Sequence, residues 1–207
     1  MTDLELGRRD RKKQQTRAAL SAAALRLVNE RGLERVTVEE ISEAADVSSR
    51  TFFNYFATKD EALIDDPLVD AGDIRARLAG IDPGLPLIGA MLLAMHPAIE
   101  QIQADRELWL LRMRVIERNP ALLPALLARS THAEREFTGA VAARTALPAG
   151  HVFPQVAASA MGAAFRVAMM RWAAGGGTAD LDDLVHESFG VLAGGLSEPT
   201  STDRERE

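Results

Sequence analysis

Three closely spaced helix-start signals, at Thr37, Ser48 and Thr58, constrain this chain more than any other feature. Hydroxyl residues of this kind cap helix N-termini, and a glutamate follows both threonines at the third position, which is the pattern of a capping box. Only short helices fit between such signals. The sequence therefore predicts one short helix over residues 38–45 and a second over residues 49–55, joined by a tight turn.

The apolar residues of this stretch are expected to share one side of the two helices. The expected core set is Val38, Ile41, Ala45, Val47, Phe52 and Phe56, and the outward set is Ser49, Arg50, Phe53 and Asn54. The turn falls at Asp46, a residue type that tolerates the left-handed backbone such turns require. A short helix with one buried side and outward polar groups suits the DNA major groove, although two helices of an ordinary bundle give the same pattern.

Composition indicates an all-α globular protein. The 207 residues are 47% hydrophobic and 26% charged, and only 5% are aromatic. Alanine and leucine are abundant, so helix formers dominate, and the length suffices for one large domain or two small ones. The absence of cysteine excludes disulfides, thiolate catalysis and cysteine-ligated zinc or iron–sulfur sites.

The sequence gives no sign of export or membrane insertion. Its first residues are polar and lack the apolar core of a signal peptide. Its longest apolar stretches are interrupted before the roughly 18 residues that a membrane span needs. We therefore expect a cytoplasmic protein with no membrane partner.

The net charge of −6 is unevenly distributed along the chain. Residues 1–60 hold 11 Lys and Arg against 10 Asp and Glu, a net charge of +1, whereas residues 61–207 hold 13 against 20, a net charge of −7. A dense basic run near the start comprises Arg8, Arg9, Arg11, Lys12, Lys13 and Arg17. This run can enter a minor groove as an arm, or it can remain a solvated tail.

Helical periodicity extends over most of the remaining chain. A first helix is predicted from near Asp10 to Arg31, closed by Gly32, and another begins at Lys59 and is disturbed by Pro67. Further helices are predicted over about residues 86–104, 105–118, 121–146, 152–174 and 180–196.

The segment over residues 37–59 resembles the DNA-binding region of TetR-family transcriptional regulators. The residues that carry the resemblance are Thr37, Val38, Ile41, Ser42, Ala45, Val47, Ser48, Thr51, Tyr55, Phe56, Thr58 and Lys59. It covers roughly residues 13–64. Two positions depart from the family pattern, because Phe53 stands where tyrosine is usual and Asp46 where glycine is usual.

The resemblance implies an all-α fold of about nine helices. An N-terminal basic arm and three-helix helix-turn-helix DNA-binding domain would occupy residues 1–58. A larger helical effector-binding and dimerisation bundle would occupy residues 59–197, followed by a disordered tail over residues 198–207.

The resemblance also implies which residues contact DNA. They are Arg17, Thr37, Ser48, Ser49, Arg50, Thr51, Phe53, Asn54, Tyr55 and Lys59. Arg50 is the candidate for guanine and Asn54 for adenine, whereas a phosphate-bound or solvated side chain is the alternative for Arg50. Phe53 cannot make the phosphate contact of a tyrosine hydroxyl, which leaves a thymine-methyl or sugar contact.

Apolar residues of the bundle either form its core or line an effector pocket. The candidates for a pocket are Met91, Met95, Trp109, Met113, Phe137, Phe165 and Met169. In the family this bundle is the usual inducer site, so a small hydrophobic or amphipathic effector is expected, with the acyl-CoA or fatty-acid class as one candidate. Small residues on the last two helices, and the family's dimer interface there, predict a homodimer on a palindromic operator.

No catalytic, metal or cofactor motif appears in the sequence. The four histidines, at 96, 132, 151 and 186, form no ligand pair at helical spacing, and no nucleophile elbow, P-loop or dinucleotide-binding glycine motif is present. We therefore expect a ligand-responsive repressor with no metal, cofactor or enzymatic activity. The alternatives are a helical ligand-binding or scaffold protein whose N-terminal domain no longer binds DNA, and, less favoured, a small all-α enzyme.

Overall fold

The computed structural model of the chain describes residues 3–65, 71–148 and 150–196. Within these ranges the secondary structure consists of ten α-helices and two short 3-10 turns, with no strand. This confirms the all-α prediction. The helices are α1 (Asp3–Arg31), α2 (Val38–Ala44), α3 (Ser49–Phe53), α4 (Lys59–Leu63), α5 (Ala71–Gly80), α6 (Leu87–Ala104), α7 (Arg106–Arg118), α8 (Leu123–Thr145), α9 (Val152–Ala174) and α10 (Leu181–Ala193).

Most helix bounds lie within two residues of the sequence predictions. The helix α1 differs most, because it begins at Asp3 rather than near Asp10. The helix predicted to start at Lys59 and to be disturbed by Pro67 is divided into α4 and α5. Pro67 and the predicted tail over residues 198–207 lie outside the described residues.

The first two helix-start signals act as the sequence predicts. The Thr37 hydroxyl accepts a hydrogen bond from the Glu40 backbone N–H at 3.2 Å, and the Glu40 carboxylate accepts one from the Thr37 N–H at 3.0 Å, so the capping box is complete. The Ser48 hydroxyl likewise accepts from the Thr51 N–H at 3.1 Å. These side chains satisfy donors that the helix cannot satisfy internally, which fixes where α2 and α3 begin.

The third signal is only half of the predicted box. Thr58 caps α4 by accepting from the Glu61 N–H at 3.2 Å. The Glu61 carboxylate, however, accepts from the N–H of Ala57 at 2.7 Å, one residue earlier than a capping box requires. The start of α4 is therefore confirmed, and the reciprocal bond is displaced into the preceding turn.

Two compact units form among the described residues. The first comprises residues 3–65 with residues 105–129, and the second comprises residues 71–104 with the described residues from 130 onward. The first unit therefore takes α7 and the start of α8 in addition to α1–α4. The functional boundary that the sequence places at residue 58 stays a prediction.

An apolar core holds the first unit together. It contains all six residues of the predicted core set, of which Ile41, Phe52 and Phe56 are buried and Val38, Ala45 and Val47 are partly buried. Its other buried members are Leu20, Ala23, Ala24, Leu25, Val28, Leu33, Val36, Ala62, Leu63, Ile64, Val115 and Leu122. Removing one large member, such as Phe52, would cost about 3–5 kcal/mol of folding free energy.

The second unit is built around α6, on which α5 and α10 pack, and α9 packs along α10. Trp172 of α9 and Phe189 of α10 are fully buried. Arg144 of α8 closes the turn after α5, because its guanidinium donates to the backbone carbonyls of Leu78, Ile81, Asp82 and Leu85 at 2.7–3.4 Å.

Candidate nucleic-acid interface

The helix α3 presents two chemically different sides. Phe52 is completely buried, whereas Arg50, Phe53 and Asn54 are exposed. Ser49, predicted to face outward with them, is half-buried. The arrangement gives a guanidinium, a phenyl ring and a carboxamide on one outward surface, which we call the α3 outer face.

The turn before α3 determines how that face is presented. Asp46 has φ of +54°, the left-handed conformation that the sequence predicts there. The N–H of Val47 then donates to the Ser42 carbonyl at 3.0 Å, and the Ser42 hydroxyl donates to the Val38 carbonyl at 2.7 Å. These bonds close the end of α2 and so fix the direction in which the chain enters α3.

The hydroxyl groups at the start of α3 are paired with each other. Ser48 Oγ and Thr51 Oγ1 lie 2.9 Å apart, with Ser48 exposed and Thr51 half-buried. Each hydroxyl has a single proton, and one of the two protons is used in the bond between them. The pair therefore keeps one hydroxyl proton with which to donate to a phosphate.

The start of α2 already carries a negative charge. Thr37 is exposed, but the Glu40 carboxylate accepts a hydrogen bond from its backbone N–H and lies 3.3 Å from its hydroxyl. The same carboxylate forms an ion pair with Arg31 at 3.0 Å. The hydrogen bond from the Thr37 backbone is the main cause that lowers the pKa of Glu40, and Arg31 acts in the same direction. A phosphate at Thr37 would meet this carboxylate, so the contact predicted there stays a prediction that must overcome repulsion.

Lys59 is directed toward the protein backbone. Its ammonium donates to the carbonyl oxygens of Leu33 at 2.7 Å and Val36 at 3.1 Å. These carbonyls lie in the connection between α1 and α2, so the side chain fastens the start of α4 to that connection. Sequence reasoning placed Lys59 on a phosphate and gave no sign of this internal role.

Arg17 is also engaged within the first unit. Its guanidinium donates to both carboxylate oxygens of Asp65, at 2.9 Å and 2.7 Å, and lies 5.1 Å from the centre of the Phe56 ring. Arg129 of α8 donates to the same carboxylate at 3.0 Å. Asp65 is thus buried between two cations from distant parts of the sequence, a trio that sequence reasoning did not find.

The remaining predicted DNA contacts have simpler surroundings. Tyr55 is half-buried and packs against the core of the first unit. Lys12 and Lys13 are exposed on α1, and the whole basic run lies within that helix. The minor-groove arm stays a prediction.

The predicted effector residues do not fall in one unit. Met91, Met95 and Met169 are buried and Phe137 and Phe165 half-buried, all in the second unit. Trp109, which is buried, and Met113, which is half-buried, belong to the first. A pocket built from all seven therefore stays a prediction.

Two of the four scattered histidines meet in the second unit. Both contact the carboxylate of Asp182 on α10. His96 Nδ1 lies 3.1 Å from one carboxylate oxygen, and His186 Nδ1 lies 3.2 Å from the other. The hydrogen bond to Asp182 raises the pKa of His96. Across the described residues, no group of three or more His, Asp or Glu is placed to hold a metal ion.

Models of two protein families match the chain. The model described as bacterial regulatory proteins, tetR family, matches residues 20–64, and the one described as the MftR C-terminal domain matches residues 85–197. A curated relative, the HTH-type transcriptional regulator TcmR of Streptomyces glaucescens, is 34% identical over 175 residues, covering 80% of this chain and 76% of the relative.

Three solved structures share the fold of the chain at low sequence identity. Thermus thermophilus FadR in complex with lauroyl-CoA has a TM-score of 0.55 at 22% identity, covering 89% of this chain and 97% of that one. Bacillus subtilis FadR in complex with stearoyl-CoA has a TM-score of 0.56 at 17% identity, covering 86% and 98%. NalD of Pseudomonas aeruginosa has a TM-score of 0.57 at 18% identity, covering 88% and 97%.

Replacing Lys59 by methionine is expected to destabilise the first unit. The substitution keeps the aliphatic stem but removes a charged donor from two carbonyls, which should lower the free energy of unfolding by about 1.5–3 kcal/mol. Urea denaturation followed by circular dichroism measures the change. Lys13→Met is the matched control at an exposed site, where a change within about 0.5 kcal/mol is expected. Equal losses in the two variants would show that the Lys59 bonds contribute nothing to stability.

Proposed function

Because the chain belongs to the TetR family of bacterial transcriptional regulators, we propose that it is a repressor that binds a palindromic operator as a homodimer and releases it on binding a hydrophobic or amphipathic effector. The family consists of DNA-binding regulators, so the chain is a regulator and not an enzyme. The observation that carries the proposal is the α3 outer face. It presents hydrogen-bonding groups on a helix short enough for the major groove, while its opposite side is held by the core.

Base reading in this proposal belongs to Arg50 and Asn54. Both side chains are exposed. Arginine forms two parallel hydrogen bonds with guanine O6 and N7, and asparagine with adenine N6 and N7. Each such pair discriminates against the wrong base by about 1–3 kcal/mol.

In this proposal, phosphate binding belongs to exposed groups for which the described side chains provide no ion pair. Arg17 and Lys59 are committed to Asp65 and to backbone carbonyls, respectively. The exposed Lys12 and Lys13 of α1 and the hydroxyl of Ser48 are better placed to contribute. These contacts would position the helix-turn-helix region on the DNA without discriminating between base sequences.

Dimerisation through α9 and α10 explains an apolar stripe that the single chain leaves exposed. At 3.6 residues per turn, Val152, Val156, Val167 and Met170 lie within about 60° of one another around α9. Val191 on α10 is also exposed. A methyl group placed on Gly162 or Gly190 would meet no atom within 4 Å, so each glycine leaves room for a second backbone to approach. An exposed apolar stripe of this kind indicates an interaction surface.

The helix α9 is long and apolar enough, by length and composition alone, to cross a membrane. Core and interface helices of soluble proteins pass this test as well, and α9 includes Arg166 and Arg171. A partner copy of α9 accounts for the exposed stripe without a bilayer. We therefore retain a cytoplasmic location in the proposal.

The effector is proposed to be hydrophobic or amphipathic, with the acyl-CoA or fatty-acid class as one candidate. Five of the predicted pocket residues, three of them methionine, lie in the second unit, and methionine adapts to apolar ligands of varied shape. The two FadR proteins of similar fold were crystallised with lauroyl-CoA and stearoyl-CoA. An effector releases DNA only through its different affinities for the bound and free conformations.

A helical ligand-binding protein that no longer binds DNA is the second candidate. It is favoured by the internal commitment of Arg17 and Lys59 and by the carboxylates of Glu39 and Glu40 at the start of α2. Operator binding separates the two candidates.

Arg50→Ala is expected to relax base preference at one position of each half-site. Binding is measured by fluorescence anisotropy on the DNA upstream of the protein's own gene and on single-base variants of it. The substituted protein should lose about 1–3 kcal/mol per half-site on the preferred sequence, and little on DNA in which the contacted guanine has been replaced. Lys13→Ala is the control, because losing a phosphate contact should weaken all sequences alike and reduce the salt slope by about 0.9 for each half-site. A parent protein that binds none of this DNA at low salt would favour the second candidate.

Val167→Asp is expected to convert the dimer to a monomer and to abolish operator binding. A carboxylate in the middle of the apolar stripe would be buried without a partner on association. Sedimentation velocity measures the oligomeric state. Leu93→Asp is the control, since Leu93 is equally apolar and exposed but lies on α6, away from the stripe. A parent protein that sediments as a monomer at every concentration would contradict the dimer.

Lauroyl-CoA or stearoyl-CoA is expected to release the operator and to stabilise the protein, whereas free coenzyme A is expected to do neither. At a ligand concentration of 100 times Kd, the stabilisation should be about 2.7 kcal/mol. Anisotropy measures release, and thermal denaturation measures stability. Phe165→Ala should weaken the ligand effect and leave operator affinity unchanged. If neither acyl-CoA has an effect, the acyl-CoA class is excluded as the effector.

A further inference from the structure

One large apolar side chain of the helix-turn-helix region is exposed without an internal contact that requires it. Across the described residues from 12 to 65, every other large apolar side chain is buried or partly buried, but the Phe53 ring is 57% exposed on the α3 outer face. It lies between the exposed Arg50 and Asn54 in sequence. An exposed phenyl ring that has groups suited to base reading on either side in sequence is placed to make an apolar contact with the same groove.

The Phe53 ring is supported in its exposed position. It packs edge-to-face on the buried Phe52 ring, with centroids 5.6 Å apart and an angle of 84° between the planes. Aromatic pairs favour this arrangement. Because Phe52 is fixed in the core, Phe53 is held outward before any partner binds, and little side-chain freedom remains to be lost on binding.

The chemistry of the ring limits what it can recognise. Phenylalanine has no hydroxyl, so it cannot hydrogen-bond a phosphate or a base edge. In the major groove the one apolar feature that differs among base pairs is the C5 methyl group of thymine. We propose that Phe53 is a specificity-determining residue that contacts a thymine methyl in each half-site of the operator. The inference rests on the proposed function, because it requires α3 to lie in the major groove.

Helix geometry limits where that thymine lies. Phe53 follows Arg50 by three residues, which is about 4.5 Å along a helix axis. Base pairs are stacked about 3.4 Å apart. The thymine should therefore lie within one or two base pairs of the pair that Arg50 contacts.

Uracil substitution tests the contact, because it removes the methyl group alone. After footprinting locates the operator, each thymine of a half-site is replaced by uracil in turn, symmetrically in both half-sites, and anisotropy measures binding at fixed salt. We expect one position at which uracil weakens wild-type binding about threefold to fivefold per half-site, the effect of one methyl group returned to water. Phe53→Ala should bind the thymine operator as weakly as the wild type binds the uracil operator, and should show no further loss on uracil.

The neighbouring variant Asn54→Ala is the control, and it should retain full sensitivity to uracil because the ring is still present. Thermal denaturation of Phe53→Ala checks that the variant remains folded, and the uracil scan of the wild type needs no variant at all. Uniform wild-type affinity across all uracil operators would overturn the thymine contact while leaving DNA binding intact. A Phe53→Ala loss that is equal on every sequence would also overturn it and would indicate a sugar contact. Failure of the wild type to bind any DNA would instead reject the proposed function.

Discussion

Burial of Phe52 and Phe56 is the interaction on which the candidate interface depends. The helix α3 has five residues, far below the roughly 12–15 that an isolated helix needs to be even marginally stable in water. Its conformation comes from the Ser48 cap, the left-handed turn at Asp46 and the two phenyl rings in the core of the first unit. The side chains of Arg50 and Asn54 take no part in this, so both can change without altering the helix that presents them.

Features that act over a few residues were predictable from the sequence. Caps at Thr37 and Ser48 and the left-handed conformation of Asp46 each involve neighbours within four residues, and all were found where predicted. Apolar spacing likewise identified all six predicted core residues. The exceptions are equally local: at Thr58 the reciprocal glutamate bond is displaced by one residue, and Ser49 is only half exposed, since position on a short helix does not fix the depth of a side chain.

Features that join distant parts of the chain were not predictable. A lysine at a helix start suggests an outward cation, but Lys59 reaches carbonyls 23 and 26 residues earlier. Asp65 meets partners 48 and 64 residues away, and no spacing rule connects such positions. The effector residues were grouped by type and period, which indicate burial correctly for Met91 and Trp109 but do not reveal that the two belong to different units.

The trio of Arg17, Asp65 and Arg129 has an evolutionary consequence. Losing the carboxylate would remove the acceptor that both guanidinium groups share at a buried position, whereas losing one arginine leaves the other to neutralise it. The three positions should therefore differ in how readily they accept substitutions during evolution. Descendants can drift at either arginine first, whereas an uncharged residue at position 65, which removes both ion pairs at once, should become established less often.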